Sequence, residues 1–158
     1  MSVTIEELLN ELPQIGKVEW IGVRPARRAP VIAVDSVLAE KGRGLQGDRY
    51  SGKSGKRDVT LIQHEHLAAI ASCLGCNEIR PESLRRNIAV SGINLLALKS
   101  RHFQIGNATL EFTGLCHPCS FMQETFGPGG YNAVRGHGGI TARVVDGGSI
   151  KVGDSVSV

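Results

Sequence analysis

Aromatic residues are scarce in this chain, 4% of 158 residues with a single Trp, so its core has to be built mainly from aliphatic side chains. No apolar run approaches the roughly 20 residues that a membrane-spanning helix needs. The opening stretch, Met1 to Asn10, carries Glu6 and Glu7 where an export signal would carry Lys or Arg. These absences predict a cytoplasmic protein. Cysteine is limited to Cys73, Cys76, Cys116 and Cys119. In a chain of this size without an export signal, that points to thiols, ligands or a redox pair rather than a disulfide framework. A strong charge of one sign is also missing: the net charge of +3 is too weak to indicate nucleic acid by itself.

The length suits one domain over residues 1–158, long enough for a real core and too short for two well-filled ones. Charge is unevenly spread. Lys41, Arg43, Arg49, Lys53, Lys56 and Arg57 face the single acid Asp48 in a Gly-rich stretch, which suits an anionic small ligand or simply a solvated loop.

Thr4-Ile5-Glu6-Glu7 has capping-box spacing, and Ile5, Leu8, Leu9 and Leu12 follow at helical intervals before Pro13. Residues 1–13 therefore read as a helical extension. Lys17 to Val23 and Val31 to Leu38 read as a hairpin around the Pro- and Arg-rich turn 24–30. Asp58 to Ile62 reads as a strand, His64 to Leu74 as a helix ended by Gly75, and Pro81 to Arg85 as one helical turn with Pro leading. Asn87 to Val90, Phe103 to Ile105, Thr109 to Leu115, Thr141 to Val145 and Ser149 to Val158 return to strand. Short strands joined by turns, in a chain with 20 glycines, predict a mainly β fold. We expect a closed Greek-key-like barrel over 17–158, its helices inserted at the flanks rather than crossing over a parallel sheet.

Gly47-Asp48-Arg49-Tyr50-Ser51-Gly52-Lys53-Ser54 satisfies the P-loop expression. That motif works between a buried strand and a helix starting at Lys-Ser, and neither neighbour is present. Cys73-Leu74-Gly75-Cys76 and Cys116-His117-Pro118-Cys119 form a double C-x-x-C, but the gap between them far exceeds that of a zinc ribbon, and Cys73 and Cys76 read as structural. A thioredoxin-like use of Cys116 and Cys119 fits a strand exit ahead of a helix, yet the surrounding βαβ alternation is missing. His64 and His66 cannot share a helix face and read as capping or surface residues. His137, among Gly136, Gly138 and Gly139, lies where a ligand can approach the backbone.

Five phrases in order, Gly44-Leu45-Gln46-Gly47-Asp48-Arg49, Leu84-Arg85-Arg86-Asn87-Ile88-Ala89-Val90-Ser91-Gly92, Phe103-Gln104-Ile105-Gly106, His117-Pro118-Cys119 and Gly138 to Val145 with Gly153-Asp154, resemble the MOSC domain family. The resemblance spans residues 17–158 and implies a barrel with helical insertions that binds a molybdenum pterin cofactor (molybdopterin). It also implies that Cys119 ligates molybdenum or carries sulfur, and that Arg85 contacts the cofactor. A thiolate is a suitable soft ligand for such a metal. Arg85, Arg49 and Arg143 are sensible phosphate contacts, and Asp48 orients one of these arginines or shapes its turn. Asn87 bonds the pterin or ends a strand, and His117 and His137 join the candidate cofactor-binding set. Cys116 is a second thiol that the family pattern does not require.

Two functional classes follow. One is a molybdenum-dependent enzyme reducing N-hydroxylated small molecules or transferring sulfur, served by a separate electron donor or cofactor-delivery protein. The other is a non-catalytic carrier of the cofactor or of persulfide sulfur. A nucleotide- or nucleic-acid-binding barrel using the basic loop is the weakest reading.

Overall fold

The computed structural model describes residues 2–49 and 55–158. The last five residues of the P-loop-like string lie outside them. Thr4 caps the first helix, α1 (Ile5–Asn10), in a complete capping box with Glu7, as its spacing predicts. β1 (Gly16–Val23) and β2 (Ile32–Val34) form the expected hairpin. The chain then leaves it: β3 (Ser36–Glu40) pairs with β4 (Gly44–Leu45) and with a late strand, Gly148–Lys151, in a separate three-stranded sheet.

β5 (Val59–Gln63) is buried along its whole length. It sends Val59 and Leu61 into the barrel core and Ile62 toward a second core beneath the helices. α2 (His66–Leu74) ends at Gly75 in the left-handed conformation, and α3 (Pro81–Leu84) opens on proline, both as predicted. β6 (Ile88–Ser91) then pairs with β5 in parallel. Here the expectation of purely flanking helices fails: α2 and α3 are a crossover between two parallel strands. No local pattern marks it, because β5 and β6 are buried apolar runs that read alike in either direction.

A 3-10 turn (Leu95–Leu98) leads to the hairpin of β7 (His102–Ile105) and β8 (Ala108–Leu115), closed at Gly106-Asn107. α4 (Ser120–Phe126) and α5 (Gly130–Val134) follow, then β9 (Ile140–Asp146), β10 (Gly148–Lys151) and β11 (Ser155–Ser157). A Gly-Asp turn at Gly153-Asp154 hands the chain from the small sheet to the barrel.

Among the described residues, seven strands close in the order β11-β7-β8-β9-β5-β6-β1, with β1 pairing back onto β11. Val18, Leu61, Phe103, Leu110 and Val156 fill the barrel. Ile70, Leu84, Met122 and Val134 fill the layer between the barrel and helices α2, α4 and α5. Aliphatic side chains dominate both cores, as the shortage of aromatics requires. No helix among the described residues is long and apolar enough to cross a membrane.

Candidate functional site

β8 ends at Leu115, and the chain turns through Cys116-His117-Pro118 to Cys119, the residue that caps α4. Cys116 is only 3% exposed, whereas Cys119 is open to solvent, and both are free thiols. The loop is held from below. The Cys116 N–H donates to the Gly139 carbonyl at 2.9 Å, and the Arg57 guanidinium reaches the Cys116 Sγ at 3.9 Å.

Arg86, 7% exposed, donates Nε to the Gly138 carbonyl at 2.8 Å, Nη1 to Leu84 at 2.9 Å and Nη2 to His117 at 3.5 Å. Burial draws its pKa below the usual arginine range, while Cys116 and Cys119 favour its charge. One buried cation thus stitches both sides of the cysteine loop and lies within electrostatic reach of both thiols. The neighbouring glycines serve this packing. A Cβ on Gly138 would overlap the Cys116 carbonyl, and one on Gly139, at φ +89°, would overlap that of Leu61.

A second cluster forms where four chain segments meet. Arg24, at the exit of β1, donates Nε and Nη2 to the two carboxylate oxygens of Asp48 at 3.1 and 2.9 Å, and its backbone N–H adds a third bond at 2.7 Å. The Asp48 side chain is closed off from solvent. Burial alone would raise its pKa, but the bonds and charge of Arg24, with the bond from Asn87, hold the carboxyl below its usual range. Asn87 Nδ2 reaches Asp48 at 3.2 Å and the Gly22 carbonyl at 3.1 Å, while its Oδ1 accepts from the Thr60 N–H at 3.0 Å.

Arg85, in the left-handed conformation at φ 55°, projects from the end of α3. It donates to the Ala29 carbonyl at 2.5 Å and lies 5.6 Å over the Phe121 ring. Arg28 lies 5.3 Å over the same ring and pairs with Glu124 at 3.0 Å. Burial lowers the Arg85 pKa, and the like charges of Arg24 and Arg49 lower it further. Among the described residues, no carboxylate forms an ion pair with Arg85 or Arg49. The cluster therefore holds positive charge that an incoming anion would neutralise. Phe121 is the second residue of α4, whose cap is Cys119, so thiol and cations belong to one surface.

The family model of the MOSC domain matches residues 47–157. This chain belongs to the MOSC family. Solved structures share its fold. The YuaD protein of Bacillus subtilis superposes with a TM-score of 0.78 at 22% identity, covering 92% of this chain and 97% of that one. YiiM from Geobacillus stearothermophilus gives 0.71 at 17%, covering 90% and 74%, and YiiM from Escherichia coli gives 0.68 at 16%, covering 89% and 68%. A search of curated proteins finds no match.

Of the residues singled out in the sequence of this MOSC protein, the structure brings Asp48 and Arg49 within electrostatic reach of Arg85, and Arg85 lies over Phe121 of α4, the helix that Cys119 caps. Asn87 lies beneath them, fully buried, with its side chain taken up by protein groups. It holds Asp48 rather than presenting itself to a pterin. Asp48 in turn orients Arg24, an arginine outside the three it was expected to serve. Arg143 lies elsewhere, on the outer face of β9, with Nε 3.8 Å from Glu111. His117 is exposed and contributes its carbonyl to Arg86.

His137 faces His66, ring centroids 5.0 Å apart and edge to face, with its Nδ1 3.3 Å from the Ala133 carbonyl. His66, read as a capping or surface residue, is thus a packing partner. Burial and the nearby His137 both lower its pKa. Cys73 and Cys76, expected to be structural, are both exposed, and the Cys76 thiol lies 3.7 Å from the carbonyls of Ala71 and Glu78. No group of three or more His, Cys, Asp or Glu among the described residues is placed to hold a metal.

Sequence reading missed Arg24, Arg28, Arg86 and Phe121. Three arginines in the turn 24–30 were the available signal for the first two. Arg86 stands beside Arg85 in a family phrase, but only the α3 exit sends one outward and the other into the core.

Proposed function

We propose that this MOSC protein binds a molybdenum pterin cofactor, with the arginine cluster taking its phosphate and the Cys119 thiolate ligating its metal. The observation that carries this reading is the crowding of Arg24, Arg28 and Arg49 around a partly buried Arg85, beside an exposed thiol. The donor set fits. Planar guanidinium groups grip phosphate through paired hydrogen bonds, and a thiolate is the soft ligand such a metal takes.

Arg85 is the leading phosphate contact because its side chain is fixed by Ala29 and Phe121. Asp48 and Asn87 hold Arg24 at a set angle, so the cation is ordered before the anion arrives. Arg86 fixes the loop that presents Cys119. When bound, the cofactor would supply a redox metal able to accept an oxygen atom from an N-hydroxylated compound, with electrons from a separate donor.

Protein made in a cofactor-replete host should contain molybdenum by elemental analysis and pterin by fluorescence. Cys119→Ala should abolish molybdenum-dependent turnover, and full activity in that variant would overturn the reading. A second reading, sulfur carriage, is favoured by the exposure of Cys119. Sulfane sulfur on Cys119 without hydroxylamine turnover under supplied electrons would select it.

A further inference from the structure

α1 is a well-formed helix with nothing to bury it. Its capping box is complete, yet none of its residues is buried: Ile5 is 71%, Leu8 53% and Leu9 69% exposed. Val3 and Ile15 extend the apolar surface on either side. Six residues do not hold a helix in water by themselves, because nucleation outweighs the few hydrogen bonds gained. Leu12, packed on the barrel core, and a 3.4 Å bond from Arg101 to the Asn10 carbonyl tie the segment to the barrel.

A complementary surface lies beside it. An open groove of about 300 Å³ is lined by Leu96, Phe112, Gly114 and Leu115, with Lys99 and Ser100 at its edge. Leu96 is 54% and Leu115 50% exposed. The charges match as well as the apolar faces. Residues 1–16 carry Glu6, Glu7 and Glu11 and no Lys or Arg, whereas the groove contributes Lys99 and the chain as a whole is net positive.

The arrangement on the surface also matters. Lys99 and Ser100 line the groove, and Arg101, next in the chain, holds the end of α1. Helix and groove therefore flank one short turn, which is what a two-fold contact needs, since each copy must offer donor and acceptor on the same face.

We infer that this chain pairs with a second copy of itself, each α1 laying Ile5, Leu8 and Leu9 into the Leu96–Leu115 groove of the other. The contact is a helix in an apolar groove, with Glu6, Glu7 or Glu11 set against Lys99. Helix-to-helix pairing of the two α1 segments is disfavoured because it would bring like acidic charges together.

Light scattering and sedimentation equilibrium on the full chain test the pairing without reference to cofactor. The expected mass is that of two chains, falling to one in Leu9→Glu and, separately, in Leu96→Glu, with circular dichroism confirming that both variants remain folded. Mixing the two variants should restore pairing in part. The Leu9→Glu chain keeps an intact groove and the Leu96→Glu chain an intact helix, so one of the two contacts can re-form. A single-chain mass for the wild type up to high micromolar concentration would overturn the inference. So would a dimer that survives either substitution, or a mixture that stays monomeric.

Discussion

Asp48 and Asp58 lie ten residues apart in the chain and titrate in opposite senses. The folded state holds the Asp48 carboxyl below its ordinary pKa of ~3.9, so its contribution to stability is present above that pH and is lost as pH falls through the lower folded value. Asp58 is almost wholly buried; burial raises its pKa, only partly offset by the Val144 N–H at 3.2 Å and by Arg143. Its sign is reversed: below ~3.9 it costs nothing, and as pH rises toward the folded pKa the buried charge lowers stability. Asp58→Asn keeps an acceptor for Val144 and removes that charge. Urea denaturation across pH should find this variant at least as stable as wild type at neutral pH, with a steeper loss on acidification. Asp48→Ala should instead cost about 3 kcal/mol at neutral pH, because it leaves Arg24 partly buried without its partner. Arg85→Ala touches no such pair. It should leave the unfolding midpoint nearly unchanged while lowering molybdenum and pterin content on purification, a split that separates phosphate binding from folding.

Among the elements, the cysteine loop depends on the strand beside it. Gly138 lies against the Cys116 carbonyl so closely that a methyl group would displace the loop, and Gly139 receives the Cys116 N–H. Native protein treated with Ellman's reagent should show three fast thiols, Cys73, Cys76 and Cys119, and one slow thiol, Cys116. Gly138→Ala should release Cys116 into the fast class, read directly from the burst amplitude. Gly139→Ala adds backbone strain to the clash and should cost about 2 kcal/mol or more by chemical denaturation. The glycines around His137 had suggested close approach of a ligand. Gly138 and Gly139 do provide close approach, but to the chain's own backbone, whereas Gly136 faces open space, and periodicity cannot distinguish these cases.

The whole molecule depends on closure, with β11 joining β1 to β7. Phe103, the largest side chain fully enclosed in the barrel, stands on β7. Phe103→Ala should cost about 4 kcal/mol. Calorimetry should still show one transition, because every strand of a closed sheet leans on two neighbours.

Much of this was legible in the chain itself. The capping box at Thr4, the left-handed stop at Gly75, the leading Pro81 and the β7–β8 turn depend on residues only a few positions apart, and short-range sterics and hydrogen bonding settle them. The ordered phrases carried the family for the same reason, each being a local backbone solution. The parallel pairing of β5 with β6, the stacking of Arg28 and Arg85 on Phe121 with Arg24 and Arg49 close enough to act on Arg85, the placing of Arg143 on the outer face and the turning of Asn87 into a buried support were decided by tertiary structure. These features join segments far apart in sequence, and their positions follow from the register at which the barrel closes, which no local pattern of residues specifies.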